Sequence, residues 1–301
     1  LAYDITLNAR NAVLKPALAD PNIDGNTGGF ASAAGATSRT ILDLSTAVNV
    51  GTAAKLETTG FTGAYGNITL AALNDVNVND KVVLITAGAL AGAGSFASLS
   101  GRNGAGLNAA VTIGDNAEIL TLGNLTATAS TRVTASIVAN SKTDGAATVA
   151  TGSADITLRP NNTVTLGEGV KAKAYGNLTL MAGKQADLRD DHYDLSARSD
   201  TNAGSVIPIQ SIGANIELKQ ANTITVRTGA LLETGGEAMF NTNWFGMAAT
   251  DAKAKGTSWT TDLAGGIDSM LGGNAQAVQS GNAERASIGR VIMDGTVRTG
   301  I

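Results

Sequence analysis

The chain has no cysteine in 301 residues. That excludes disulfide bridges, thiolate metal sites and a cysteine nucleophile together. It also has no Gly-x-Ser-x-Gly elbow, no Walker loop and no His-Glu-x-x-His helix, so three common routes to catalysis are closed. Aromatic residues are scarce at 4%, while glycine occurs 37 times, so any core must be aliphatic and closely spaced rather than built on large rings. Charged residues make up 15%, well under the roughly 25% of ordinary domains. The formal net charge of -4 supplies no basic field, and neither a nucleic acid nor an anionic lipid surface is expected as partner.

No long apolar run is present either. Between Lys81 and Arg102 lie 20 uncharged residues, but only Val82-Val83-Leu84-Ile85 is strongly apolar; the rest is mainly Ala, Gly and Ser. A spanning helix needs apolar residues throughout, so this stretch reads as a buried strand followed by a loose loop, without membrane insertion.

What the chain does have is repetition. Hydrophobic residues reach 43%, and many fall in short segments of period two. Asp4-Ile5-Thr6-Leu7, Asn67-Ile68-Thr69-Leu70, Asp155-Ile156-Thr157-Leu158 and Asn177-Leu178-Thr179-Leu180 each place two apolar side chains around a polar one. Ile156 and Leu178 stand 22 positions apart, with Val164-Thr165-Leu166 and Val170–Ala174 between them and turn residues at three corners. That reads as one triangular coil of three short strands.

A longer period is also visible. Val48-Asn49-Val50, Val111-Thr112-Ile113, Val164-Thr165-Leu166 and Ile224-Thr225-Val226 recur 63, 53 and 60 positions apart. Gly-Asn-(Ile/Leu)-Thr follows three of them, at Gly66, Gly123 and Gly176. This gives a super-repeat of about 60 residues, read as two or three coils plus a variable loop. The expected fold is therefore all-β: a right-handed parallel β-helix with three short strands per coil of about 22 residues, forming one unit over residues 1–301. Long loop insertions are expected near 20–40, 86–108, 139–153, 184–212 and 241–288, with a short helix at Ile267–Leu271 in the last. Ile156, Leu158, Val164, Leu166, Leu178, Leu180, Ile216, Leu218, Ile224 and Val226 should face inward, and Thr157, Thr165, Thr179 and Thr225 outward.

The run Gly176-Asn177-Leu178-Thr179-Leu180-Met181-Ala182-Gly183, and its second copy Gly66-Asn67-Ile68-Thr69-Leu70-Ala71-Ala72, resemble repeats of the filamentous-haemagglutinin-like exoproteins. These are large adhesins exported by two-partner secretion. The resemblance covers about two thirds of the chain by pattern. It implies an extracellular, bacterial cell-surface location and a structural or adhesive role, as an adhesin stalk or a subunit of a surface filament or sheath. Cell-surface or matrix glycans and proteins are then the expected partners. Leu1–Leu7 and Val291–Ile301 are strand-like and neither reads as a cap, so the chain is expected to continue beyond them or to self-associate end to end.

Two clusters offer three readings that compete with a purely structural one. Arg189, Asp190, Asp191 and His192 form the only acidic cluster with a histidine. Two carboxylates across a groove suit a β-helical polysaccharide lyase or glycoside hydrolase acting on acidic glycans. Against this, no acidic partner repeats at the same offset, and a solvated turn with local ion pairs accounts for the cluster equally well. The same stretch offers hard oxygen ligands of the kind Ca2+ takes, yet it lacks an EF-hand loop or a glycine-aspartate nonapeptide. No cofactor or catalytic residue is therefore expected. Finally, Trp244, Phe245 and Trp259, near Phe240, gather aromatics either as a glycan platform or as a small satellite core.

Overall fold

The computed structural model describes residues 3–61, 64–102, 106–184, 191–242, 244–257, 276–279 and 282–300. Among these, the side chains at 61, 64, 191–192, 244–257, 276–279 and 282–288 lie outside the description. All regular structure described is β, in three sheets that run parallel throughout apart from one edge pairing, Gln276–Gln279 on Trp244–Thr257. A small antiparallel hairpin, Gly60–Phe61 with Ala64–Tyr65, stands apart.

One layer shows the plan. Ile68–Ala87 lies in the first sheet, Leu90–Gly101 and Leu107–Ile113 in the second, and Glu118–Thr121 in the third. The chain then re-enters the first sheet at Leu125, which pairs with Ile68. Successive layers follow the same path: Ile5 pairs with Ile68, Leu125 with Leu178, and Leu178 with Ala238. In the second sheet Val48, Val111, Val164 and Ile224 stack in one column. The 63, 53 and 60 residue recurrences are thus the layer spacing itself.

The 22-residue coil does not exist. Ile156 stacks on Leu99 and Ile216 in the second sheet, whereas Leu178 stacks on Leu125 and Ala238 in the first. The 22 positions between them measure only the path around the triangular end of one layer. The remaining path is an arm formed by the second half of each first-sheet strand packed against the opening strand of the second sheet. It runs through the segments expected as loops. Residues 20–40 carry Ile23–Gly28 and most of Ala31–Leu42; 86–108 carry Leu90–Gly101; 139–153 fall in Leu125–Asp144 and Ala147–Leu158. Likewise 184–212 carry Asp191–Gly204 and the start of Ile207–Val226, and 241–288 carry Trp244–Thr257, Gln276–Gln279 and the start of Asn282–Met293. The helix expected at Ile267–Leu271 lies outside the described residues. The strands are also long, reaching 20 residues, not short.

The outer half of the arm is not legible as strand because its inward positions are mostly small or polar. Ala91, Ala93, Ser95 and Ala97 alternate inward in one strand, Ser141 and Thr143 in its neighbour, and Ala150 and Ala154 in the next layer. Period two is kept, but without Val, Ile or Leu it carries no apolar signal.

Two apolar cores result. At the triangular end Ile68, Leu70, Val111, Ile113, Ile119, Leu125, Val164, Leu178 and Ile224 meet from three walls. In the arm Val76, Val78, Val82, Leu99, Val133, Ile137, Ile156 and Ile216 meet from two. All ten residues expected inward are at most 2% exposed, and Thr157, Thr165, Thr179 and Thr225 lie on the opposite, half-buried face. Each buried Leu, Ile or Val contributes up to about 1.5–3 kcal/mol.

A polar seam divides the cores. Thr46 Oγ1 donates to Asn74 Oδ1 at 2.6 Å, and Asn74 Nδ2 to the Asn108 carbonyl at 2.9 Å. In the next layers Thr131 Oγ1 donates to Asn162 Oδ1 at 2.8 Å, and Asn162 Nδ2 to Asn222 Oδ1 at 2.9 Å. Asn74, Thr131, Asn162 and Asn222 are completely buried. A buried amide without partners costs about 1–3 kcal/mol, so this chain of bonds fixes which residues face across the waist.

Candidate functional site

The corner where the third sheet returns to the first is the most regular feature of the outer surface. Each layer turns there through Gly-Asn: Gly66-Asn67, Gly123-Asn124 and Gly176-Asn177. The asparagines form an axial ladder. Asn67 Oδ1 accepts the backbone N–H of Asn124 at 2.9 Å, Asn124 Oδ1 that of Asn177 at 2.8 Å, and Asn177 Oδ1 that of Glu237 at 3.0 Å. Asp4 starts the ladder by accepting from the Asn67 N–H at 2.6 Å. These bonds join one layer to the next rather than closing a local turn.

Glycine is required by close approach. A Cβ on Gly123 would lie 2.5 Å from Asn67 Oδ1 and 2.7 Å from the Gly66 carbonyl. From inside, threonine hydroxyls hold the same carbonyls: Thr58 and Thr121 donate to Gly66 O at 3.1 and 2.5 Å, and Thr234 to Gly176 O at 2.6 Å.

The residue before each glycine is displayed outward, giving the column Tyr65, Leu122, Tyr175. The two tyrosines are 65% and 49% exposed and flank a cavity of about 660 Å3 with Leu122, Gly123 and the two asparagines Asn67 and Asn124 along its floor. Lys173 Nζ sits 4.9 Å from the centre of the Tyr175 ring, a cation–π contact that steadies one face. Neither tyrosine was singled out by sequence reading. The signal was present, an aromatic residue directly before two of the Gly-Asn turns, but isolated tyrosines far apart in sequence give no hint that one column holds both.

Two further features lie elsewhere. An apolar groove of about 430 Å3 crosses the arm tip past Leu90, Gly92, Val149, Ile207 and Ile209. On the first sheet Arg132 donates to Asp75 at 2.9 and 2.7 Å, and Arg10 bonds the same carboxylate from the preceding layer. The Arg132 bond, more than that of Arg10, holds the Asp75 carboxyl below its ordinary value of 3.8, against the opposing effect of burial.

The residues proposed from sequence are partly brought together. Asp191 and His192 are not in a loop: they open the strand Asp191–Gly204, in register with Trp244 and Phe245, which open Trp244–Thr257. The acidic and aromatic clusters thus meet on neighbouring strands, one layer apart. Arg189, Asp190 and Trp259 lie outside the described residues. Among the described residues no group of three or more His, Cys, Asp or Glu side chains is placed to hold a metal ion.

No protein-family model matches the chain, and neither a curated protein nor a solved structure does.

Proposed function

We propose that the chain is a parallel β-helix that serves as a structural or adhesive segment of a bacterial surface protein, an adhesin stalk or part of a surface filament or sheath. The observation that carries this reading is the unbroken parallel register through successive layers of about 60 residues. It is reinforced along the axis by the asparagine ladder and the seam of buried amides. Such stacking makes a body that grows in one direction, since each layer contacts only its neighbours. Length and a repeated outer surface are what a stalk or filament needs. Its partners are then cell-surface or matrix glycans and proteins.

The purified chain should scatter X-rays as a rod whose length grows in proportion to layers added by duplication. Displayed on a non-adherent cell, it should increase attachment to glycan-coated surfaces. A globular scattering profile, or no gain in attachment, would remove this reading. The enzymatic alternative rests on the register that sets Asp191 and His192 beside Trp244 and Phe245. New unsaturated or reducing ends from pectate or alginate, lost in Asp191→Ala, would establish it instead.

A further inference from the structure

We infer that the corner cleft between Tyr65 and Tyr175 is a binding site for one ring of a neutral saccharide chain. The inference deepens the adhesive reading and rests on it for its biological use, while the geometry stands by itself.

The spacing is the first argument. Tyr65 and Tyr175 stand at the same corner two layers apart, so with parallel strands about 4.8 Å apart their backbones are about 9.6 Å from each other. Van der Waals contact with a ring on each side takes about 3.5–4.0 Å per face. Two such contacts take about 7–8 Å, so the backbone separation admits one six-membered ring between the two side chains.

The floor is the second argument. Between the tyrosines come Leu122, which is half-buried, and Gly123, which has no side chain to fill the space. Two aromatic side chains and one aliphatic side chain in the lining suit the C–H faces of a pyranose.

The polar groups are the third. The ladder uses Oδ1 of Asn67 and Oδ1 of Asn124 to accept backbone N–H groups. Of the two Nδ2 groups, that of Asn67 reaches Asp4 Oδ1 at 3.4 Å, and that of the exposed Asn124 is the donor left for a ligand. Neutral N–H donors and two tyrosine hydroxyls match sugar hydroxyls, which both donate and accept. Among the described residues no lysine or arginine lines the cleft, and the net charge of -4 disfavours a polyanion further.

The test uses the full chain with tetramers of β-linked glucose and of N-acetylglucosamine, a galacturonate tetramer, and an eight-residue oligothymidylate. Binding is followed by saturation-transfer NMR and calorimetry. Tyr65→Ala and Tyr175→Ala are the informative variants, because both side chains are exposed and their loss should leave the unfolding midpoint unchanged. Phe30→Ala, at an 83% exposed ring in the arm, is the control. A neutral tetramer should bind, with affinity falling at least tenfold in either tyrosine variant and holding in Phe30→Ala. Binding that both tyrosine variants retain would place the sugar elsewhere and overturn the cleft, leaving the adhesive reading intact. Tyrosine-dependent binding of only the acidic tetramer or the oligonucleotide would overturn the assignment to neutral sugar. Absence of binding to all four probes would overturn the cleft, while rod-like scattering in the same preparation would keep the structural reading standing.

Discussion

The second layer contains a charge where its successors have hydrocarbon, and this makes a sharp energetic test. Asp80 occupies an inward position of Ile68–Ala87, and the register puts Ile137 and Ala197 at the same place in the next two layers. Its side chain is completely buried and pairs with Lys15 at 2.8 Å; the lysine side chain is 32% exposed. Ser38 also donates to Asp80 Oδ2, at 2.6 Å. Removing the lysine by Lys15→Met leaves a buried carboxylate supported by hydroxyls alone. Breaking a fully buried pair in this way costs about 3–5 kcal/mol, and partial exposure of Lys15 brings the expected loss to about 2–4 kcal/mol.

The reverse change is gentler. Asp80→Ile releases Lys15, whose flexible stem can carry its charge to water, and the half-buried Ser38 hydroxyl, so the loss should be under about 1.5 kcal/mol. The double variant Lys15→Met, Asp80→Ile restores the apolar column and should match or exceed the parent by up to about 4 kcal/mol. Urea denaturation gives the three differences if the slopes agree, and hydrogen exchange over 68–87 localises them to the second layer. A Lys15→Met variant within 0.5 kcal/mol of the parent, or a double variant less stable than both single ones, would refute the reasoning.

Other outcomes follow from the same geometry. Asn162→Ala removes an acceptor for Thr131 and a donor to Asn222 in the buried seam; the expected cost is about 2–4 kcal/mol, read from the urea midpoint. Gly123→Ala should cost about 1–3 kcal/mol, because the new methyl meets the Gly66 carbonyl and the Asn67 side chain; an unchanged thermal midpoint would count against the ladder. For Asp75 the folded carboxyl is held below 3.8, so its stabilising effect is present above that pH and lost as pH falls through the lower folded value. Acid titration of Arg132→Met should show a shallower loss of stability below about pH 4 than the parent does.

The triangular end was legible in sequence because its walls are written in Val, Ile, Leu and a strict alternation with threonine. Val164-Thr165-Leu166 and Leu178-Thr179-Leu180 turned out to face as expected, and the 60-residue recurrence proved to be the vertical repeat. The outer half of the arm was not legible, since Ala93, Ser95 and Ala150 carry the alternation without hydrophobic contrast. Reading loops there made the layer look shorter than it is and produced the 22-residue coil. The corner cleft was hidden for another reason. Tyr65 and Tyr175 become neighbours only through pairing two layers apart, which no local motif encodes.

The corner also separates what the fold constrains from what it leaves open. Gly66, Gly123 and Gly176 meet backbone or side-chain oxygen within 2.8 Å of any added Cβ, and the asparagines behind them carry the ladder. Those two positions repeat because stacking fails without them. The position just before them repeats only as an address: it holds Tyr65, Leu122 and Tyr175 in turn. The two tyrosines there are largely exposed, so changing either leaves the layers paired. A scaffold of this kind can vary its displayed residues layer by layer without altering the core. Two aromatics separated by one aliphatic residue in such a column are therefore under no demand from folding that leucine or threonine would not meet, and the proposed saccharide site would give them a use.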